Sequence, residues 1–488
     1  MNNQNWLLNC IQKNKNTEYG KIYNFKNIQT ISDFQKEVPL TTYEDISTYI
    51  KKISNGEENI LFNSKAVAFE KTGGSSSGGK LIPYSKDGLE DFQKAIYPWL
   101  ASTQTQFDID FSKTYFSISP ALRKTQYTPS KIKIGVDDSA YLGDALASTL
   151  NNGMAIPTWV AELKDLDKWQ LATLYHLVCA KDLELISIWS PTFLLMLLNI
   201  LDQKKDQLKS YFLNGSEIDG NILKPDKEAY KRLERYLTEN NTSILWPNLK
   251  LISCWCDAMS KPFSKKLESQ FKHVKIQPKG LISTEGVVSI PDDEDYPILQ
   301  QDKNFYEFLD QDGKPHLPSD LKKDNTYEVV LTTNSGLYRY KTGDVVRFEG
   351  IRSNCAVVRF IGRSGIVSDI VGEKLNEVFV QNVLNSIGEF SMIVAKNTIE
   401  DPRYILLGES NNIKDYLSCV ENKLLTNPQY AYARKIGQLK ELEVKVMDNA
   451  LVRYVKYKTE SGSRVGDIKI PSLQSDRQWL EIIQRESK

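Results

Sequence analysis

The run Thr72-Gly73-Gly74-Ser75-Ser76-Ser77-Gly78-Gly79-Lys80 stands between a strand-like segment and a helix-like one, and its reading decides what fold surrounds it. Ala66-Val67-Ala68-Phe69 before it suits a strand. After it, Leu89, Phe92, Ile96 and Trp99 recur at helical spacing behind the N-cap candidate Ser85. Glycines let a backbone turn tightly with its N–H groups facing an anion, serine hydroxyls add donors, and Lys80 adds positive charge. The pattern reads as a phosphate cradle. A flexible linker is the plain alternative for any Gly/Ser run, and the closing lysine and the ordered flanks weigh against it. Gly74 to Lys80 also fits the G-x-x-x-x-G-K frame of a Walker loop, but that loop needs Ser or Thr next, at the start of a helix, to ligate Mg²⁺. Leu81 stands there instead, and Pro83 disfavours helix at the residue before it. The phosphate binder belongs to a different class.

At 488 residues the chain exceeds one ordinary core, since domains run roughly 100–200 residues, so two or more are expected. A hydrophobic content of 41% is enough to fill them, which makes the protein globular. Lys and Arg number 62 and Asp and Glu 62; with no net charge, neither nucleic acid nor an anionic membrane is expected as the main partner. Among the cysteines only Cys254 and Cys256 are close, and His176, His273 and His316 are far apart. No zinc spacing appears, and a Ser-His-Asp triad has little material. The N-terminus lacks a basic stretch followed by an apolar core, and the apolar run from Phe193 to Leu201 falls short of the ~20 residues of a membrane span. With scattered, reduced cysteines, this predicts a cytoplasmic protein.

Between about residues 160 and 290 helix and strand alternate. Leu163 to Val178 has helical periodicity, Leu185 to Trp189 reads as a buried strand, and Ser190-Pro191 caps the next helix. Leu249 to Trp255 and Val274 to Ile276 are further strands, so a mostly parallel sheet is expected, with ligands beyond the carboxyl ends of its strands. Past residue 325, Tyr327–Thr332, Leu337–Tyr340, Asp344–Phe348 and Val357–Ile361 follow in quick succession, with turns at Asn334-Ser335-Gly336 and Thr342-Gly343. They predict an antiparallel meander or small barrel. The expected fold is α/β: a large N-terminal domain, 1–361, of mixed, mostly parallel sheets flanked by helices with a small β-barrel, and a smaller C-terminal α+β domain, 362–488. The acidic run Asp292 to Asp295 reads as a solvated loop.

Three further segments belong beside the Gly/Ser run: Gly280-Leu281-Ile282-Ser283-Thr284-Glu285-Gly286, Leu337-Tyr338-Arg339-Tyr340-Lys341-Thr342-Gly343-Asp344-Val345-Val346, and Gly362-Arg363 followed by Gly372-Glu373-Lys374-Leu375-Asn376-Glu377. In this order the set resembles the adenylate-forming enzymes, and specifically the GH3 acyl acid–amido synthetase family, which has bacterial as well as plant members. Trp189-Ser190-Pro191, Trp246-Pro247-Asn248 and Asn427-Pro428-Gln429-Tyr430 through Leu439 extend the resemblance over nearly the whole chain.

The resemblance implies an ATP- and Mg²⁺-dependent ligase that activates a small carboxylic acid as an acyl-adenylate and passes the acyl group to an amine, in the family an amino acid. It implies that Ser75, Ser76, Ser77, Gly78 and Lys80 hold the triphosphate, and that Thr284 approaches the α-phosphate. Glu285 would bind Mg²⁺, Asp344 would accept from the ribose hydroxyls, and Tyr338 and Arg363 would contact the nucleotide. Arg123, in Ser119-Pro120-Ala121-Leu122-Arg123, resembles an arginine near the acyl carboxylate. Lys469 sits where the family carries a lysine before a proline near its end, though Asp467 stands where glutamine is commoner. A surface carboxylate for Glu285, a turn residue for Asp344, a surface arginine and a solvated lysine are the plain alternatives.

The chemistry suits these residue types. A carboxylate is a poor electrophile, and its attack on the α-phosphate of ATP expels pyrophosphate, so charge builds on phosphate oxygens. Metal, lysine and preorganised donors serve that step without a side-chain nucleophile. Two competing readings remain at the level of sequence: an adenylating enzyme that acylates a thiol of coenzyme A or a carrier protein, and a non-catalytic nucleotide-binding protein. The acid, the acceptor and the oligomeric state are left open.

Overall fold

Four α-helices, Gln4–Lys13, Glu18–Ile22, Ile31–Glu37 and Tyr43–Ser54, precede the first strand of the computed structural model, which describes residues 3–72, 80–116, 126–135, 154–365, 367–398, 400–463 and 465–485. The third helix starts where it does because Thr30 and Asp33 form a reciprocal capping box, satisfying two otherwise orphaned amides. Leu7, Ile11, Phe34, Ile46 and Ile50 bury a common face against Phe305, Leu337 and Tyr338, which ties the N-terminal helices to the middle of the chain.

The strand expected at Ala66 runs Ala66–Lys71 and pairs antiparallel with Leu81–Ser85, and Thr72 N–H donates to the Lys80 carbonyl at 2.9 Å. These strands bracket the Gly/Ser run. Ser75, Ser76, Ser77 and Gly78 themselves lie outside the described residues, as does Arg123. The Ser85 hydroxyl accepts from Gly88 N–H and caps the long helix Lys86–Phe107, as its sequence predicts.

The expected parallel sheet is present, with strand order Lys275–Pro278, Leu251–Cys254, Leu185–Ser187, Thr114–Phe116, every neighbour parallel. Two bounds shift. The helix expected from Leu163 begins at Leu166, because Asp165 caps it through Lys168 N–H at 2.9 Å. The strand expected through Trp189 ends at Ser187, and Pro191 then opens the helix Pro191–Gln203.

Of the two forms expected after residue 325, the chain takes an antiparallel sheet of seven strands, with Ser289–Pro291 at one edge and Pro315–His316 at the other. Here the sequence reading needs correction. Leu337–Tyr340 and Asp344–Phe348 are not two strands: Tyr340–Arg352 is a single long one, and Leu337 to Arg339 lie outside it. Thr342-Gly343 is a bulge, not a turn. Glu328 pairs with Val345 while Val330 pairs with Lys341, so the extra residues bow out around Gly343, whose φ of +77° suits glycine. The expected turn at Asn334-Ser335-Gly336 is real, and a Cβ on Gly336 would meet Leu61 Cβ at 2.5 Å.

A four-stranded sheet, in the order Glu443–Val446, Arg403–Gly408, Ser391–Lys396, Leu473–Gln474, organises the C-terminal part with flanking helices. One of its faces continues the apolar core of the parallel sheet through Phe390, Met392, Tyr454 and Trp479. That junction is loosely filled: a cavity of about 1160 Å³ separates Leu195, Met196 and Phe263 from Glu389, Leu451 and Val455. Among the described residues no helix is long and apolar enough to cross a membrane.

Candidate active site

Thr284 and Glu285 are the two loop residues of a tight hairpin between Ile282–Ser283 and Gly286–Val287. A two-residue loop leaves no room for either side chain to fold back under the strands, and both are half-exposed. The hairpin is held from below and behind. Ser283 Oγ donates to the Gly286 carbonyl, Tyr84 OH donates to the Thr284 carbonyl, and Thr284 Oγ1 donates to Glu285 Oε2 at 3.0 Å. Gly280, at φ +76°, lets the approaching chain lie against Ser289, whose carbonyl oxygen would be 2.3 Å from any Cβ there.

Asp344 leaves the bulge just described and is 3% exposed. Arg363, on the neighbouring strand and paired in register with it, brings Nε to 3.2 Å from Asp344 Oδ1 while Nη2 donates to the Thr342 carbonyl at 2.7 Å. The contact is close enough for an ion pair but lacks hydrogen-bond direction, so Asp344 Oδ1 is a buried carboxylate oxygen with no hydrogen-bond partner. Asp344's charge holds Arg363 more firmly cationic than an ordinary arginine, with Glu285 and Glu377 adding to it. Such an oxygen fits a pair of hydroxyl donors.

Lys80 Nζ lies 3.5 Å from Glu44 Oε1 and 5.2 Å from the centre of the Tyr43 ring, whose hydroxyl accepts from Leu81 N–H. Tyr340 links that corner to the hairpin. Burial and then the charges of Glu285 and Glu44 push its phenol pKa well up, while Arg363 opposes them. Lys469, from the C-terminal part, is exposed and holds its ammonium 5.2 Å above Trp255, just past the carboxyl end of strand Leu251–Cys254. Its charge is felt by Glu377, whose carboxyl is pushed up to about 7 by burial against the pull of Ser472 N–H, Arg363 and Lys469.

Thr284, Glu285, Asp344, Arg363, Lys80 and Lys469 are therefore brought to one region. Tyr338 is not. It is 1% exposed, donates to the Leu61 carbonyl at 2.7 Å and stacks on Tyr19, so it is a core residue of the N-terminal helices. The cause is Arg339, at φ +47°, which breaks the strand alternation that would have kept Tyr338 beside Tyr340. Sequence reasoning missed Tyr340, although it lies inside the same motif, and missed Tyr84, for which no local signal exists. Glu377 closes the quoted Gly372–Glu377 segment, but its proximity to Asp344 is visible only in three dimensions.

No cluster of three or more His, Cys, Asp or Glu that could hold a metal occurs among the described residues. Mg²⁺ is commonly bound by one or two carboxylates with phosphate and water completing its shell, and the half-exposed carboxylate of Glu285 is a group of that kind.

Models of one protein family match the chain in three consecutive stretches: the GH3 family N-terminal domain over residues 2–276, the central domain over 297–363 and the C-terminal domain over 367–478. Among curated proteins, the chain is 22% identical to indole-3-acetic acid-amido synthetase GH3.4 of Arabidopsis thaliana, over 86% of this chain and 74% of that one. It is 21% identical to jasmonoyl–L-amino acid synthetase JAR6 of Nicotiana attenuata, over 90% and 85%. In fold it is similar to the acyl acid amido synthetase AtGH3.15, with a TM-score of 0.85, 21% identity and coverage of 99% and 93%. A 2-hydroxyisobutyryl-CoA ligase in its postadenylation state follows at a TM-score of 0.60 and 10% identity, covering 99% and 91%.

Proposed function

The chain belongs to the GH3 family, and from that premise we propose that it is an acyl acid–amido synthetase, an AMP-forming ligase joining a small carboxylic acid to an amino acid. The observation that carries the reading is the pairing of the Thr284-Glu285 turn with the buried, incompletely satisfied carboxylate of Asp344. Its Oδ1 has an ion-pair contact with Arg363 Nε at 3.2 Å but no hydrogen bond among the described residues, and leaving a buried acceptor without one costs about 1–3 kcal/mol.

In the first half-reaction the acid's carboxylate oxygen attacks the α-phosphorus of ATP, and the bond to the pyrophosphate oxygen breaks. Asp344 accepts from the two ribose hydroxyls, with Arg363 Nε 3.2 Å from its Oδ1. Thr284 Oγ1 donates toward the α-phosphate, and Lys80 and Lys469 offset charge developing on the phosphate oxygens. Glu285 would hold Mg²⁺, which would supply Lewis-acid stabilisation of the phosphates when bound. Ser75, Ser76, Ser77 and Gly78 we assign to the triphosphate and Arg123 to the acyl carboxylate, on the family resemblance. In the second half-reaction the amine nitrogen attacks the acyl carbonyl, AMP leaves with the bonding electron pair, and the nitrogen loses a proton.

We divide the chain into an adenylating part, 1–361, and a mobile C-terminal part, 362–488. A hinge in the stretch from Gly362 to Gly372 fits that division, and Gly372, at φ +104° with open space around it, supports it. Six unpaired thiols support a cytoplasmic location.

The test is acid-dependent exchange of pyrophosphate into ATP with Mg²⁺, across aryl, indolyl and aliphatic acids, followed by product identification with amino acids and coenzyme A supplied side by side. Exchange followed by an amide product is expected. A thioester would replace the amide reading, and ATP binding with no exchange for any acid would refute the ligase.

A further inference from the structure

Cys254 closes strand Leu251–Cys254, and Cys256 follows two residues on, past the carboxyl end of the parallel sheet where Lys469 stands over Trp255. The two sulfurs are 3.8 Å apart, and Cys256 Sγ also donates to the Cys254 carbonyl at 3.5 Å. The chain leaves the strand after Cys254, which lets the second side chain turn back on the first. The pair differs in freedom. Cys254 is wholly buried, and its carbonyl accepts from Lys279 N–H at 3.0 Å as the parallel ladder continues. Cys256 is partly exposed and precedes Asp257, whose carboxylate is 3.2 Å from Arg359 Nη1 on the seven-stranded sheet.

Trp255 therefore spans a short distance between two anchored points. Its N–H donates to the Trp189 carbonyl at 2.8 Å, and its ring centre is 5.9 Å from that of Trp189. A contact with Cys256 and then burial hold the Cys254 thiol well above its usual pKa, so Cys254 stays protonated. Cys256, the sulfur that solvent reaches, is the one placed to attack, with its resolving partner already in contact.

We propose that Cys254 and Cys256 are a modification site, forming a reversible disulfide on contact with hydrogen peroxide, and that this bond switches the ligase off through Trp255 and Lys469. The Cys256 sulfur attacks one peroxide oxygen, an S–O bond forms, the O–O bond breaks, and the other oxygen leaves with the thiol's proton as water. The Cys254 sulfur then attacks the sulfenic sulfur. The S–S bond forms, the S–O bond breaks, and hydroxide leaves with the Cys254 proton as a second water. Two thiols are oxidised, and the peroxide is reduced to two waters. The sulfurs must close from 3.8 Å to about 2 Å. Because the sheet holds Cys254, the movement falls on Cys256 and on the Trp255 peptide, so the indole beneath the Lys469 ammonium tilts. A shift of about 1 Å at a group that offsets phosphate charge lowers pyrophosphate exchange by about ten- to hundredfold. The bond itself stands apart from the ligase reading above, whereas its effect on turnover rests on it.

The experiment treats the native chain with hydrogen peroxide in slight excess, blocks the remaining free thiols with an alkylating reagent and maps the peptides by mass. Cys254 and Cys256 are expected to escape alkylation together, with their shared peptide two hydrogens lighter. Dithiothreitol should restore both thiols and full exchange. Cys256→Ser and Cys256→Ala should form no such bond and keep their exchange under the same treatment. Alkylation of both residues after treatment, or Cys256 carried on to sulfinic acid beside a free Cys254 thiol, overturns the proposal and leaves the ligase reading standing. A bond that leaves exchange unchanged, or an equal loss of exchange in the native chain and in C256S, overturns the switch. Silence with every acid refutes the ligase reading and the switch with it, and the mass map then still decides the disulfide, with no variant needed.

Discussion

Replacing Asp344 by asparagine keeps the side chain's shape and removes its charge. The native carboxylate is 3% exposed, and its Oδ1, 3.2 Å from Arg363 Nε, has no hydrogen-bond partner among the described residues, so it can accept from the ribose hydroxyls as a buried anion. Hydrogen bonds to a charged group contribute about 1.5–3 kcal/mol each against about 1 for neutral ones. The amide retains one neutral acceptor and turns a donor toward the second hydroxyl. The net loss is about 2–4 kcal/mol, or roughly 30- to 1000-fold in kcat/KM for ATP. Arg363 keeps its 2.7 Å bond to the Thr342 carbonyl, so the fold should tolerate the change. The assay is pyrophosphate exchange as a function of ATP and of 2′-deoxy-ATP, in both proteins, read as a double-mutant cycle. Native enzyme should discriminate against the deoxynucleotide and D344N should scarcely do so. A D344N variant within threefold of native on ATP, or one that discriminates as strongly, would refute the assignment of Asp344 to the ribose.

Glu285→Ala removes the carboxylate assigned to Mg²⁺ and should lower exchange by about a hundredfold or more while raising the Mg²⁺ concentration needed for half-maximal rate; an unchanged Mg²⁺ dependence would show that another group binds the metal. Arg339 and Glu307 are 5% and 1% exposed in their side chains, are bonded twice at 2.9 Å, and Arg339 also donates to the carbonyls of Gln35 and Val38. Arg339→Met strands a buried carboxylate and should cost about 3–5 kcal/mol, read from denaturant midpoints, with a cost under 1 kcal/mol speaking against the pair's structural role. Glu377 titrates at about 7 in the folded chain against an ordinary 4.5. Its folded pKa is raised, so the folded state holds the proton more tightly, and the stability it contributes is full below about pH 4.5 and is lost as pH rises toward 7, by about 3 kcal/mol in all. Glu377→Gln should flatten that part of the stability–pH curve relative to native, and parallel curves would contradict the assignment.

Much of the fold follows from local pattern. Capping at Ser85, the proline at 191 and the alternation of helix with apolar strand from Leu166 to Pro278 each state their own structure, because short-range hydrogen bonds and the burial of one helix face or both sheet faces leave few other solutions. The reading failed where backbone conformation left the regular wells. Arg339 at φ +47° and the bulge at Gly343 merged two expected strands into one and sent Tyr338 into the helical core. Neither residue type demands that geometry, so no propensity could have announced it. For the candidate site, motif order singled out Thr284, Glu285, Asp344 and Arg363, which the fold brings to one region, whereas the surroundings of Tyr340 and Glu377 come from partners far along the chain.

By itself, then, the sequence determined the succession of elements, the class of nucleotide chemistry and most of the charged groups assigned to it, since these depend on residue type and spacing. Only the tertiary structure decided that a buried Asp344 oxygen faces Arg363 without a hydrogen bond, that Glu377 is buried near both and that Tyr338 is core. Those facts turn on which groups are removed from water together, and the free energy of a charge or a hydroxyl is set by its neighbours in space, which the order of residues along the chain does not specify.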